Sequence, residues 1–491
     1  MLTKSDFLKF IQCPKYLWLA KFRKDLAGEI DAGTQRMFDD GAEVEKYAYK
    51  LFPDGVTAGS NNDFKKDIFN TKELLAGGTK TIFQPTFSNF NTNLYCRCDI
   101  LKFNEEDGAW DIYEVKSSTQ PKNIHFYDLA FQKICLEKEK LKIGKTFLIL
   151  INNQYVRNGD IEPEKFLKIE NVSVEVAELF EEIDKKIAKA FKILELWEEP
   201  DIAILKQCKN PYECDYISHC WEKIPEESIY DVANGLSKKQ LEILLGMGII
   251  NLKDIPEGFV KNAKFVKHIE LVKNGKQEVR KEEIERELSE LEYPLYFIDY
   301  ETFGGAVPLF DGLRSYENVP FQYSLHVLEA PDGEPKHYEF LEREFRNPTK
   351  DLYESLGGLI GAKGTFISWN MFFEKSCNAG IAKRNPKYKE FFENMNARMF
   401  DLMMIFKNGY VADKGFKASA SLKKVLPVMV PRLSYKELNI QEGGTASVSW
   451  FTLTDEKVDR EEREHLYQDM LEYCELDTLA MVEIFKRLSD L

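Results

Sequence analysis

The stretch YFIDYETFGG, residues 296–305, sets Asp299 and Glu301 two positions apart directly after an apolar run. On an extended strand, residues two apart face the same side. Two carboxylates that close repel in a low-dielectric setting, and a divalent cation is the simplest partner for them. The pair also fits a solvated strand end, so two later stretches decide the reading. TFISWNMFFEKS reads as a buried strand running into a helix that presents Asn370, Phe373 and Glu374. LEYCELDTLAMVEIF reads as a helix on which Tyr473 and Asp477, four apart, share a face. Asp299, Glu301, Glu374 and Asp477 can then converge on two Mg²⁺ or Mn²⁺ ions, which suit oxygen-only ligation. Asp401, in RMFDLMMIF, reads as a helix-end acid or an acid behind the ligands.

A second constellation lies earlier. RCDILKF and AWDIYEVKSS bring Asp99, Glu114 and Lys116 onto neighbouring strands, with Gln132 on the helix that follows. Glu114 and Lys116 share a strand face, where a carboxylate can bind metal and an ammonium can steady a phosphate or a water nucleophile. Nine cysteines divide into two sets. Cys96, Cys98, Cys135, Cys377 and Cys474 sit in apolar or helical patterns and read as core residues. Cys208, Cys214 and Cys220 cluster among polar and aromatic residues and, with Cys13, bracket the segment carrying Asp99 and Glu114. A Zn²⁺ site is one reading of these four, although the paired C-x2-C spacing of zinc ribbons is missing.

The elements that must position these residues follow from periodicity. The segment 4–22 has helical spacing until Pro14 interrupts, and 80–116 alternates as strands. Helices are predicted over 123–140, 173–197 and 459–488, with a buried strand over 145–152. After the cysteines, short helices around a glycine turn and a charged helix near 280–293 lead to strands at 294–299, 321–329, 337–341 and 364–369. The length of 491 residues favours two or three domains. Aromatics at 13% argue against disorder. The net charge of −15 is shared by both halves, so a nucleic-acid site has to be a local groove. No apolar run is long enough to span a bilayer, MLTKSDFLKF lacks a signal-peptide core, and the expectation is a cytoplasmic protein with no membrane partner.

The order Asp-x-Glu, Asn-x-x-Phe-acid, Tyr-x-x-x-Asp resembles the motifs of the tyrosine branch of the DEDD exonucleases, a ribonuclease-H-like group. The resemblance implies that Asp299, Glu301, Glu374 and Asp477 bind two metals, that Tyr473 orients the attacking water, and that cleavage runs 3′→5′. Glu374 stands where the second motif normally has Asp. The Asp99–Glu114–Lys116 set followed by Gln132 resembles RecB-like PD-(D/E)XK nucleases. Such nucleases often carry a metal-binding His in the position of GAEVEKYA, where this chain offers Glu45 or, second to it, Glu43. Leu136 replaces their usual tyrosine after the glutamine. The one-plus-three cysteine bracket is similar to that of iron–sulfur RecB-like nucleases, including CRISPR spacer-acquisition nucleases and the AddB subunit. This implies a [4Fe–4S] cluster on Cys13, Cys208, Cys214 and Cys220, with zinc as the alternative and His219 as a neighbour. The spacing is C-x5-C-x5-C where those relatives often have C-x2-C-x5-C. The two halves in this order resemble a bacterial family fusing both modules.

The resulting expectation is an α/β chain. It comprises a restriction-endonuclease-like domain with an iron–sulfur staple over 1–225, a helical connector over 226–288 and a ribonuclease-H-like domain over 289–491. The implied activity is metal-dependent hydrolysis of nucleic acid, DNA before RNA and single strands before duplex. The competing expectations are a nucleic-acid scaffold with decayed sites and a redox sensor built on the cysteines.

Overall fold

A computed structural model describes residues 1–59, 63–89 and 91–491. It is mixed α/β and divides into two compact units. The first comprises Met1–Ile30, Thr34–Lys223 and Gly305–Tyr316; the second comprises Asp31–Gly33, Ile224–Gly304 and Glu317–Leu491. The stretch 226–288 therefore counts within the second unit. It holds the helices Lys238–Gly246, Ala263–Asn274 and Lys281–Ser289, and between the last two a short strand, Glu278–Val279, pairs with Val411–Ala412.

The first unit is built on a six-stranded sheet among the described residues: β1 (Val56–Thr57), β2 (Thr81–Phe83), β3 (Ile100–Asn104), β4 (Ala109–Val115), β5 (Ile143–Ile151) and β6 (Leu167–Asn171), lying in that order. The β4–β5 pair is parallel and the helix Asn123–Lys138 (α1) connects its strands. Alternation along β4 sends Ile112 and Glu114 inward, where Ile112 joins Phe131 and Ile134 of α1 and Ile183 and Ile187 of the helix Ser173–Leu194. Asp128, Leu129, Ala130, Phe131, Gln132, Ile134, Cys135 and Leu136 of α1 are all buried. A helix so deeply set carries Asp128 and Gln132 into the interior, where they require polar partners.

In the second unit the sheet order is β9–β8–β7–β10–β11 for strands β7 (Leu295–Phe303), β8 (Val319–Leu328), β9 (Lys336–Leu341), β10 (Thr365–Ser368) and β11 (Met399–Asp401). The three strands on one side pair antiparallel, and β7–β10 and β10–β11 are parallel. Tyr296, Ile298 and Tyr300 of β7 pack toward Cys377 and Ile381 of the helix Phe372–Arg384 (α2). On the opposite face Phe297 meets Phe485 of the C-terminal helix Arg460–Ser489 (α3), with ring centroids 5.6 Å apart.

Most elements expected from periodicity are present, with two differences. β7 runs to Phe303, so Asp299 and Glu301 lie inside the strand and not at its end. Pairing with β8 continues past them as Asp299↔Ser324 and Glu301↔Gln322, then shifts at a bulge between Glu301 and Thr302. The bulge keeps the strand in the ladder while re-aiming its side chains. The short strand β11, which ends on Asp401, has too few residues to show a period.

Candidate functional site

Three acids converge in the second unit. One carboxylate oxygen each from Asp299, Glu301 and Asp477 lies within 4.8 Å of the others. β7 supplies the first two, and α3 lays Asp477 and Tyr473 across them from the same helical face. Cys474 Sγ packs 4.0 Å from Asp299 Oδ2. The trio lines a cleft of about 690 Å³ whose walls include Trp369, Asn370, Phe373, Lys423 and Tyr473. Asn370 sits at φ 75° where β10 turns toward α2, a left-handed conformation that asparagine tolerates better than most residues.

The electrostatics are those of a site in which buried acids outnumber the one lysine beside them, Lys423. Burial, then Asp477, Glu374 and Glu301, push the Asp299 carboxyl well above its ordinary value. Burial and Asp477 do the same to Glu301. Burial lifts Asp477 to about 6 against the pull of a Tyr435 hydrogen bond and of Lys423. Glu374, lifted to about 8 chiefly by burial, is 1% exposed, and its Oε2 has no hydrogen-bond partner. It adds to the field on Asp299 but does not join the close trio. Asp401 accepts backbone hydrogen bonds from Asn370 (3.0 Å) and Met403 (3.1 Å), holding the turn behind the site.

Two functional groups here were invisible to sequence reasoning. Tyr435 donates its hydroxyl to Asp477 Oδ1. The Lys423 ammonium faces the rings of Tyr435 and Tyr473, 5.7 and 6.0 Å from their centroids, and lowers Glu301 and Asp477. Neither residue stands at a diagnostic spacing from the acids, so no sequence signal pointed to them.

The first unit holds the other set. Lys116 Nζ lies 2.6 Å from Glu114 Oε1 and 2.8 Å from Asp128 Oδ2. Lys4 Nζ lies 2.9 Å from the same Glu114 oxygen and 3.5 Å from Asp128 Oδ1. Gln132 Nε2 donates to Glu114 Oε2 (2.7 Å) and Asp128 Oδ1 (2.8 Å). Asp99 Oδ2 accepts from the Val115 N–H at 2.7 Å, which fixes it beside β4. Glu45 accepts from Tyr49 and Gln84 and shares with Asp99 a pocket of about 400 Å³ also lined by Lys4 and Arg97. Burial, Asp128 and Asp99 raise Glu114 to about 7. Burial would raise Asp128 too, but Lys116 and Lys4 outweigh it and hold that carboxyl below its ordinary range. Glu114, Lys116 and Gln132 thus belong to one polar network, and Asp99, with Glu45 beside it, acts on that network through its charge. Lys4 and Asp128 are further members; only the four-residue step from Asp128 to Gln132 could have signalled the latter.

Cys13, Cys208, Cys214 and Cys220 are half-buried, and the other five cysteines are buried. Cys13 caps the helix Pro14–Phe22, and Cys220 lies in Ile217–Trp221. The Cys214 N–H donates to the Cys208 carbonyl at 2.9 Å. Cys13, Cys214 and Cys220 pack on one apolar cluster with Tyr16, Trp18 and Tyr216. Burial raises Cys214 to about 12, and Cys13, Cys208 and Cys220 all act on it. No three of these thiols come within 4.8 Å of one another. His219 is turned to Glu199, 3.0 Å away.

Among known proteins, a family described as a domain of unknown function (DUF2779) matches residues 296–421. That range takes in Asp299, Glu301 and Glu374 and stops before Lys423, Tyr435, Tyr473 and Asp477. The chain is 25% identical over 211 residues to the uncharacterized protein MG366 homolog of Mycoplasma pneumoniae, covering 39% of this chain and 32% of that protein. It is 24% identical over 213 residues to the uncharacterized protein MG366 of Mycoplasma genitalium, covering 40% and 32% respectively. The chain spans about a third of the length of the curated relatives it matches. Among the described residues, no helix is long and apolar enough to cross a membrane.

Proposed function

We propose that the chain is a metal-dependent nuclease whose second unit is a ribonuclease-H-like 3′→5′ exonuclease. The observation that carries this reading is the convergence of Asp299, Glu301 and Asp477 within 4.8 Å on the wall of an open cleft. The donor set is all oxygen, its acids are held above their ordinary values, and a fourth buried carboxylate has an unused oxygen. Such a set fits Mg²⁺ or Mn²⁺, held by Asp299, Glu301 and Asp477 with Glu374 beside Asp299. When bound, the ions supply charge stabilisation to the attacking and leaving oxygens of a phosphodiester. Tyr473, whose hydroxyl burial keeps protonated, is the group to orient a water, and Lys423 is placed to meet a phosphate oxygen. Trp369 and Phe373 line the cleft and are the aromatic groups against which a terminal base would stack.

In this reading the first unit is a restriction-endonuclease-like module with Asp99, Glu114, Lys116, Gln132 and Glu45 around a second phosphodiesterase site. A separate observation favours a binding role for that unit instead. Glu114 is already engaged by two lysines and Gln132, so a cation has to displace Lys4 or Lys116 to reach it. The four thiols are proposed to hold an iron–sulfur cluster, with one zinc ion as the alternative. The proposed substrate is nucleic acid, DNA before RNA, and the proposed setting is cytoplasmic.

The test is digestion of end-labelled single- and double-stranded DNA and RNA with Mg²⁺ or Mn²⁺, using wild type, Glu301→Ala and Lys116→Ala. Loss of all activity in Glu301→Ala assigns the chemistry to the second unit alone. Residual cleavage that disappears in the double variant assigns a second active site to the first. No hydrolysis of any substrate by the wild-type protein overturns the proposal.

A further inference from the structure

We infer that the second unit carries another metal site, distinct from the acid trio, in which His326, His337 and Glu475 bind a divalent transition cation of the zinc class. His326 and His337 face each other across β8 and β9 as a directly paired couple, their rings stacked with centroids 4.5 Å apart. Glu475 reaches them from α3, and one ligand atom from each of the three lies within 4.8 Å of the others.

One consistent assignment of the hydrogen bonds around the two rings, in which Thr478 keeps its bond to the helix backbone, leaves a lone pair on each ring. Thr478 Oγ1 donates to the Glu475 carbonyl at 3.1 Å. With that proton committed, Ser324 Oγ, 2.6 Å away, is the donor in its bond to Thr478. Both hydroxyl oxygens are then acceptors toward the imidazoles. His326 Nδ1 donates to Thr478 Oγ1 at 2.8 Å, and His337 Nε2 donates to Ser324 Oγ at 2.9 Å. The opposite nitrogens, His326 Nε2 and His337 Nδ1, carry the lone pairs. His337 Nδ1 points at Glu475 Oε1 from 3.6 Å. That distance is too long for a hydrogen bond and, with His337 Nδ1 unprotonated, sets two acceptors against each other. A cation between them resolves the conflict.

The arrangement has the usual build of a histidine metal site, in which the non-ligating nitrogen of each ring is held by a fixed partner that sets tautomer and orientation. Two imidazoles and one carboxylate with open positions suit zinc, cobalt or nickel over magnesium. The acid trio, all oxygen, has the opposite preference. Glu475 is half-exposed, so the ion can enter from solvent. An ion there would clip α3 to the β8–β9 hairpin two residues from Asp477 and Tyr473. The inference holds whatever reaction the acid trio performs.

The test uses the full chain, stripped with chelator, returned to saturating Mg²⁺ to fill oxygen-only sites, and titrated with Co²⁺. Wild type is expected to take up one Co²⁺ with visible absorption of nitrogen–oxygen ligation. Thiolate charge-transfer bands would report Co²⁺ at the cysteines separately. His337→Gln and Glu475→Gln are each expected to lose that one equivalent and that absorption. Glu475 lies on the helix surface, so its variant keeps the test valid if His337→Gln fails to fold. Anomalous diffraction from Co²⁺-soaked crystals should give a peak between the three side chains. Wild-type stoichiometry and spectrum in folded Glu475→Gln, or peaks only at the acid trio or the cysteines, would overturn the assignment. The contact between His337 and Glu475 would then be an ordinary imidazolium–carboxylate pair.

Discussion

Tyr435 donates its hydroxyl to Oδ1 of Asp477, linking the short turn Tyr435–Glu437 to the helix that supplies the acid trio with its third member. Tyr435 itself is held above its ordinary value by burial and by Asp477, so its hydroxyl stays a donor. The bond favours the charged form of Asp477 against the burial that opposes it. Tyr435→Phe removes the donor and leaves the ring packed. A hydrogen bond to a charged group is worth about 1.5 kcal/mol or more, so Mn²⁺ affinity should fall by about tenfold. Calorimetric titration at pH 7 reads it; unaltered affinity would reduce Tyr435 to a packing role.

The buried acids of the second unit make the metal-free protein sensitive to rising pH. Asp477 titrates at about 6 against an ordinary 3.8, and Glu374 at about 8 against 4.5. Between each pair of values the native state binds more protons than the unfolded chain, so stability declines as pH rises. The contribution is complete below about pH 4, where both states are protonated, and is lost by about pH 8. For Asp477 alone the shift corresponds to about 3 kcal/mol. Glu114, at about 7, acts in the same direction. Urea unfolding of stripped protein at pH 5 and pH 8 should show the decline, and Mg²⁺ should offset it most at pH 8. A slope equal to wild type in Asp477→Asn would remove the acid trio as its cause.

The legible part of the fold is the part with strong period. α3, β8 and β9 stand close to where the helical spacing and the apolar runs set them. The acids of the second unit were legible because metal ligation needs several carboxylates at one place, and their intervals in sequence survive as i,i+2 and i,i+4 steps. Lys423 and Tyr435 were not, since each enters from a separate short segment and makes its contact only through the tertiary fold. Lys4 and Asp128 illustrate the same limit in the first unit. An N-terminal helix and α1 meet over Glu114, and no interval along the chain records that meeting. The pairing of His326 with His337 depends on hairpin register, which alternation alone does not set.

The thiol site predicts a coloured protein. If Cys13, Cys208, Cys214 and Cys220 hold a [4Fe–4S] cluster, anaerobically purified protein should be brown with about four irons per chain. Cys13→Ala should lose the colour. It should also lower the melting temperature, because the site closes a loop from Cys13 to Cys220 that spans most of the first unit. Colourless protein with stoichiometric zinc would defeat the iron assignment and preserve the structural one.

Lys4 and Lys116 share the charge of Glu114 and Asp128, yet the nuclease reading gives them different roles. Lys4→Met should cost about 2 kcal/mol of stability, since it leaves two buried carboxylates to one ammonium. Lys116→Ala, in a Glu301→Ala background that silences the second unit, should abolish any remaining cleavage, because its ammonium is the charge placed for the scissile phosphate. Cleavage that persists in Lys116→Ala, with stability reduced as in Lys4→Met, would make both lysines purely structural.

The acid pair inside β7 supplies the sharpest separation. If Asp299 holds metal at the centre of an exonuclease, Asp299→Ala should lower the rate by about a thousandfold or more, since about 4 kcal/mol of transition-state stabilisation goes with it. Tyr473→Phe should be milder, because it removes one hydroxyl that positions water and leaves the carboxylates in place. The background is Lys116→Ala, which leaves the second unit as the sole source of cleavage. Two otherwise identical strands are compared, one with its 3′ end blocked. Stepwise shortening confined to the unblocked strand, lost in Asp299→Ala and slowed in Tyr473→Phe, is the expected pattern. Equal cutting of both strands would exclude 3′→5′ action. An Asp299→Ala protein as active as its parent would leave the close approach of Asp299, Glu301 and Asp477 without a catalytic role.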